Sequence, residues 1–405
     1  MRIAFVADIR SPIARGWIEP FIEAGHAVHI ISTFPGEPLE GLASFTEIPV
    51  AFAGAGRGAA SGSRAPGGAR AIGLRSALRH WLGPLTLPGA RRRLLEHLSH
   101  LDLDLLHALR IPFEGMLAAA VAGRVPLVLS VWGNDFTLHA VSSPGMAALT
   151  RQALKRADAL CADCARDLRL ARLWGLPETS PTLVLPGGGG VDRAIFRPEA
   201  PSGWAPGARV RAILGDLPPD APVVINPRGF RGYVRNDTFF RAVPMILQAV
   251  PETHFLCVGM QGEAQAERWL PRIPTPEQLH LLPQLKREEL ADLYRRAQVA
   301  VSPSEHDGTP NTFLEAIACG CFPVVGDLES LREWVKHGVN GALIDPGDPR
   351  ELAMAVILGL QDGELRRRAE EMNQAQIESR AERRWTFEQA QAFYARVLGF
   401  AGKGS

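Results

Sequence analysis

Two carboxylates, Asp307 and Glu315, flank the seven-residue run Gly308-Thr309-Pro310-Asn311-Thr312-Phe313-Leu314. The turn His306 to Pro310 is made of residues that interrupt regular structure. Asn311 or Thr312 is expected to cap the helix that follows, whose apolar positions Phe313, Leu314, Ile317 and Ala318 recur at helical spacing. Glu315 is expected in its first turn. One acid then sits on a loop and the other on a helix, with a row of free backbone N–H groups between them. A helix N-terminus is a ready anion site, and carboxylates on either side accept hydrogen bonds from hydroxyls. An anion bracketed by hydroxyls describes a nucleotide sugar.

A second cluster precedes it. The apolar run Val223-Val224-Ile225-Asn226 reads as a strand, and Arg228, Arg231 and Arg235 follow directly. Three arginines in eight residues beyond a strand's carboxyl end suit an anion clamp, because guanidinium groups bind phosphate with a fixed fork of donors. The alternative is that these arginines are only exposed.

Other classes of function are disfavoured by composition. The 44 basic and 43 acidic side chains argue against a globally basic nucleic-acid partner. No apolar run approaches the roughly 20 residues that span a bilayer. Asp8 interrupts the first apolar run too early for a signal peptide. With five cysteines, an odd number, the expectation is reduced thiols in the cytoplasm. Cys161-x-x-Cys164 has no second pair at zinc spacing and reads as packing, and Asp102-Leu103-Asp104 reads as the lead-in to a strand rather than a metal site.

The elements that would position these residues alternate strand and helix. Ile3–Ala7, a helix opened by Ser11-Pro12 and closed by Gly25, and Ala27–Ile31 begin a doubly wound sheet, where ligands bind beyond the carboxyl ends of strands. The loop Ile9 to Gly16, which carries Ser11 and Arg15, should therefore line a site. It lacks G-x-G-x-x-G, which argues against a dinucleotide cofactor. Further strands are expected over Leu103–Ala108 and Pro126–Val131, with a helix over Gly115–Ala122 between them. Residues 1–200 form the first expected domain, residues 201–383 the second, and residues 384–405 a helix returning to the first. Between Glu47 and Glu96 there is no acid but eight arginines, Arg91, Arg92 and Arg93 among them. This Gly/Arg-rich insertion, about 53–93, reads either as a solvated loop or as a basic lip for an anionic or membrane-borne acceptor.

The stretch Val301 to Val325 resembles the acidic motif of family 4 retaining glycosyltransferases. That motif is written Glu-x7-Glu with Gly-x-Pro after the first acid; here it stands as Asp-x7-Glu. Trp132-Gly133-Asn134-Asp135 resembles the family's His-Gly-x-Asp, with tryptophan in place of histidine. The segment Leu183 to Phe196 resembles its Pro-x-Gly-Val-Asp-x-x-x-Phe. The resemblance implies an α/β GT-B fold, two Rossmann-like doubly wound domains facing across a cleft, the first for an acceptor and the second for the donor. It implies sugar transfer with retention, from a nucleoside-diphosphate sugar to a glycan or lipid-linked acceptor, with no cofactor and no bound metal. By the same resemblance Arg228 and Arg235 grip the diphosphate, with Arg231 as the rival of Arg235, Glu315 holds the ribose and Asp307 the transferred sugar, and Ser11 and Arg15 lie on the acceptor side. Gly308, Thr309, Pro310, Asn311, Thr312, Trp132 and Asp135 complete the donor site. A nucleotide-sugar-binding protein without transfer activity, or a nucleotide-sugar epimerase, are the alternatives.

Overall fold

The computed structural model describes residues 1–53, 79–121, 123 and 125–401. It divides into two compact units, Met1–Gly189 with Thr386–Ser405, and Gly190–Trp385.

The first unit is a parallel seven-stranded sheet. Its strands are β1 (Arg2–Ala7), β2 (Ala27–Ser32), β3 (Ser44–Glu47), β4 (Leu105–Ala108), β5 (Leu127–Val131), β6 (Ala159–Ala162) and β7 (Thr182–Val184), in the order β3-β2-β1-β4-β5-β6-β7. Ile3 to Ala7 are all buried, which is why β1 reads as an unbroken apolar run: helices cover both faces of such a sheet. Ser11 caps the helix Pro12–Glu23, its Oγ accepting from the Ala14 amide at 3.4 Å. The strand expected from Leu103 begins at Leu105. Asp102 and Asp104 ahead of it both pair with Arg2, and Asp104 also accepts from the Arg2 amide at 2.7 Å. That Asp-x-Asp therefore joins the starts of β1 and β4. The helix expected over Gly115–Ala122 is a tight turn, Ile111–Gly115, followed by one helical turn, Met116–Ala119. Phe113 at φ +68° breaks regular helix there, a conformation that costs a non-glycine residue about 1 kcal/mol or more.

The helix Arg383–Ala401 carries the chain back into the first unit. Its anchor is Tyr394, fully buried, whose hydroxyl accepts from Trp17 Nε1 at 3.0 Å and meets His107 Nδ1 at 2.5 Å. Burial holds the His107 imidazole down to about 3, so the ring is neutral. With the tyrosine O–H directed at Nδ1, the proton lies on Nε2, which donates to Ser130 Oγ at 2.9 Å.

The second unit is a parallel six-stranded sheet of β8 (Val223–Asn226), β9 (His254–Val258), β10 (Leu279–Leu282), β11 (Val299–Ser302), β12 (Phe322–Gly326) and β13 (Ala342–Ile344), in the order β10-β9-β8-β11-β12-β13. The chain order reverses between β8 and β11, and the crevice beyond their carboxyl ends is where such sheets bind ligands. The break after 200 expected from sequence falls instead after Gly189. Val191 bridges to Glu382, and Phe196 is buried beside Tyr294 with ring centroids 6.3 Å apart. Those contacts tie residues 191–196 to the second core. Of the basic insertion, residues 54–78 lie outside the described residues. In the described part, Arg91 and Arg93 donate to the backbone carbonyls of Ala120 and Pro49 while remaining exposed.

Candidate functional site

The β8/β11 switch point is occupied by the residues that the spacing of acids singled out. Arg228 leaves the end of β8 and Asp307 follows β11, and the two meet: Arg228 Nη2 to Asp307 Oδ2 is 2.8 Å. Arg228 Nη1 donates to Thr312 Oγ1 at 3.1 Å. The guanidinium is 9% exposed. Burial works against its charge, and Asp307 together with Tyr233 and Tyr294 more than restores it, so its pKa is raised. Arg228 Nε has no acceptor. The site thus holds a fixed, nearly dry cation whose donors are not all used.

The helix that presents Thr312 runs Asn311–Ala318, and its N-cap is Pro310, which has no side-chain donor or acceptor to offer. The cap expected at Asn311 or Thr312 is therefore absent, because both residues already lie inside the helix. Helix ends leave their first amides without intrahelical acceptors, and no cap hydrogen bond covers this one. Gly308 and Thr309 complete the turn. Thr309 is buried, and its Oγ1 accepts from Trp334 Nε1 at 3.1 Å. Ser330 Oγ donates to the Asp307 carbonyl at 2.7 Å. Both contacts pin the loop that carries the first acid.

Glu315 lies in the second turn rather than the first, 14% exposed, with Arg287 Nε 4.0 Å from Oε1. Burial pushes its carboxyl up to about 7, only partly offset by Arg287. Tyr294 supports the same helix by donating to the Thr312 carbonyl at 3.2 Å. Arg287, Tyr294, Trp334 and Ser330 were not singled out from sequence. They reach the site from other elements, and no local spacing marks them.

Arg235 does not join Arg228. Its guanidinium holds Glu305 at 2.7 Å and Asp237 at 3.0 Å, and its amide donates to the Pro303 carbonyl. It sits at the N-terminus of the helix Asn236–Ala249. Arg228 and Arg235 thus each pair with carboxylates of their own, Arg228 with Asp307 and Arg235 with Asp237 and Glu305.

In the first unit Asp135 is buried and turned inward. It accepts from Arg110 Nη2 at 2.7 Å, Ile111 N at 3.1 Å and Trp132 N at 3.2 Å. Burial raises its pKa against the pull of Arg110. Asp135 thus shapes the turn after β5 that presents Trp132. The Trp132 indole packs on Gly187, where a Cβ would stand 3.1 Å from the ring, and its Nε1 has no acceptor. Gly189 likewise serves close approach inside this unit: a Cβ on it, at φ +78°, would stand 2.5 Å from the Gly16 carbonyl oxygen. Ser11 is spent as the helix cap, and Arg15 donates to the carbonyls of Ile9 and Glu37 at 2.8 and 2.9 Å. Asp163, Cys164 and Asp167 bring ligand-type atoms within 4.8 Å of one another. Arg166 already pairs with Asp167 there at 2.8 Å, which supplies the positive charge from the chain itself. All five cysteines are buried and free.

The same two-unit architecture recurs in solved structures. Sucrose-phosphate synthase from Thermosynechococcus elongatus superposes with a TM-score of 0.76 at 18% identity, over 98% of this chain and 100% of that one. The Anabaena protein HepE, solved with UDP and glucose, superposes with a TM-score of 0.71 at 17% identity, over 98% and 100%. The fold is GT-B. Residues 11–188 match the glycosyl transferase 4-like domain and residues 215–376 match glycosyl transferases group 1; the chain belongs to this family of glycosyltransferases. Among curated relatives, the D-inositol 3-phosphate glycosyltransferase of Thermobispora bispora is 32% identical over 222 residues, 52% of this chain and 50% of its own length. That of Catenulispora acidiphila is 32% identical over 279 residues, 63% of each chain. The matches thus span between half and two thirds of these relatives' lengths.

The buried acid yields a prediction about stability. Glu315 binds its proton more tightly in the folded unit, at about 7, than at its ordinary 4.5. The fold therefore loses stability as pH rises through that window, and the loss is complete above it. Glu315→Gln removes the penalty. At about pH 8, without ligand, the variant should be more stable by up to ~3 kcal/mol, and the difference should close below about pH 4.5. Melting curves across this range check it; a variant less stable at both ends would show that the carboxylate supports the fold.

Proposed function

We propose that this chain is a retaining glycosyltransferase that moves a hexose-type sugar from a nucleoside-diphosphate sugar to a glycan, lipid-linked or small-molecule acceptor. The observation that carries this reading is the buried Arg228, held at the β8/β11 switch point beside an uncapped helix N-terminus. The departing diphosphate gains negative charge as the bond to the anomeric carbon breaks. A cation already fixed in a water-poor site stabilises that charge without reorganising. Arg228 and the first amides of the helix Asn311–Ala318 supply this stabilisation. Glu315, one turn further along, accepts from the ribose hydroxyls in its ionised form. Asp307, which shares Arg228 in the unliganded site, orients a hydroxyl of the transferred sugar.

The acceptor oxygen forms its bond to the anomeric carbon on the face the diphosphate leaves, and its proton passes to the departing phosphate oxygen. The reading needs no separate base and no bound metal; turnover unaffected by chelators supports the latter, and loss restored by a divalent cation contradicts it. The first unit takes the acceptor, while its Trp132, on the turn after β5, covers an apolar face of the transferred sugar. HepE was solved with UDP and glucose, which makes uridine nucleotides the first donors to examine.

The experiment is a panel of nucleoside-diphosphate sugars followed by nucleoside diphosphate release and by the anomeric configuration of the product. Release with a retained anomer is expected. Arg228→Ala should lower kcat by on the order of 10²-fold or more while raising KM less, since leaving-group charge peaks in the transition state. An inverted product overturns retention. Binding of the sugar nucleotide with no release on any acceptor leaves a binding protein, and an isomerised donor leaves an epimerase.

A peripheral membrane contact through the basic 57–93 region belongs to the same reading, as the route to a lipid-linked acceptor. No helix among the described residues is long and apolar enough to cross a membrane. Sedimentation with phosphatidylglycerol vesicles should show binding that fades with salt, as expected for attraction screened within about 10 Å. Replacing Arg91, Arg92 and Arg93 with Gln should reduce it, and salt-insensitive binding would contradict the electrostatic contact.

A further inference from the structure

Beyond the Arg228 site, the second unit carries a pocket of about 480 Å³ lined by Arg231, Arg235, Arg241, Arg268 and Arg272. Asp237 is the only carboxylate among its lining residues, and Phe230 and Trp269 supply apolar walls. Arg228, Asp307, Thr312 and Glu315 do not line it, although Arg231 and Arg235, on the same loop as Arg228, do. It lies beside the loop after β8 and the segment after β9.

The charges on its walls are unequally spoken for. Arg235 is held by Asp237 and Glu305, and Arg241 reaches Asp237 only at 3.6 Å. Arg231, Arg268 and Arg272 pair with no carboxylate among the described residues. Arg268 and Arg272 lie instead near the Trp269 ring, with Cζ 5.8 and 4.9 Å from its centroid. Trp269 is 7% exposed, and its Nε1 has no acceptor. Like charges gathered round one hollow repel, and an anion converts that repulsion into attraction. Guanidinium groups favour phosphate in particular, through paired N–H donors. The volume suits a phosphate group together with an attached sugar or similar body.

We propose that this pocket is a second anion site, which takes a diphosphate or other multiply phosphorylated group. Its ligand is carried either by a soluble molecule or by a lipid headgroup. The inference stands on the pocket alone and does not depend on the donor reading.

The test is calorimetry of inorganic pyrophosphate with the full chain, first alone and then with nucleoside diphosphate at saturation. Pyrophosphate binding should persist when nucleoside diphosphate is present. The double variant Arg268→Gln, Arg272→Gln should weaken it by about tenfold or more, leave nucleoside diphosphate affinity unchanged and keep the wild-type melting curve. Both residues are exposed and pair with no acid among the described residues, and Gln keeps part of their packing on Trp269. Binding that vanishes under saturating nucleoside diphosphate, or that the double variant leaves intact, overturns the proposal. Should the chain bind no nucleoside diphosphate, the donor reading fails while the pyrophosphate comparison still decides this one. Phosphatidylcholine vesicles bearing a polyprenyl diphosphate identify the carrier: sedimentation lost in the double variant assigns a lipid headgroup. Pyrophosphate binding without sedimentation assigns a soluble ligand.

Discussion

A guanidinium buried at the end of a parallel sheet must be paired, and the pair formed by Arg228 and Asp307 is what the proposed site depends on. Removing one partner of such a pair leaves an uncompensated charge at a cost of about 3–5 kcal/mol. The fold therefore has to keep Arg228 and Asp307 together although 79 residues separate them. It does so by making β8 and β11 neighbours, so that the loop after each strand opens at the same crevice. Between them the chain lays β9 and β10 on the other side of β8 before it returns as β11. Thr312, Ser330, Trp334 and Tyr294 then hold the turn and helix against the pair. Arg228 is engaged by Asp307; under the proposed function, a diphosphate entering the site competes with Asp307 for it.

The same geometry accounts for the tension around Glu315. A carboxyl placed where burial lifts it to about 7 is a poor contributor to stability and a useful acceptor for hydroxyls. Conflicts of this kind concentrate where structure serves binding rather than folding. Trp132 shows another form of it, with a buried indole N–H lacking a partner. By contrast the His107–Tyr394–Trp17 contacts in the first unit are fully matched, and their effect is to hold the last helix to the sheet.

What was legible in the sequence was local. The apolar runs of β1 and β8, the Ser11 cap and the turn–helix between Asp307 and Glu315 follow from periodicity and capping chemistry within a few residues. The family resemblance extended this reading to the fold. Long-range pairings were not legible. Arg235 looked like the partner of Arg228 because it lies seven residues on, yet Glu305, 70 residues away, holds it. Asp135 matched a motif position, but only the structure shows it facing Arg110 and two amides. The boundary at 189 was hidden because the linker-like composition begins after 200, whereas Val191 and Phe196 are already committed to the second core.

The most direct test of this account is nucleoside diphosphate affinity in Asp307→Asn, measured by calorimetry beside the rate of transfer. If Asp307 competes for Arg228 in the empty site and serves the sugar during reaction, the variant should bind nucleoside diphosphate at least as tightly as the wild type. Transfer should meanwhile fall on the order of 10²-fold. If affinity and transfer fall together, Asp307 is only the scaffold that positions Arg228, and the division of roles described for the two acids is wrong.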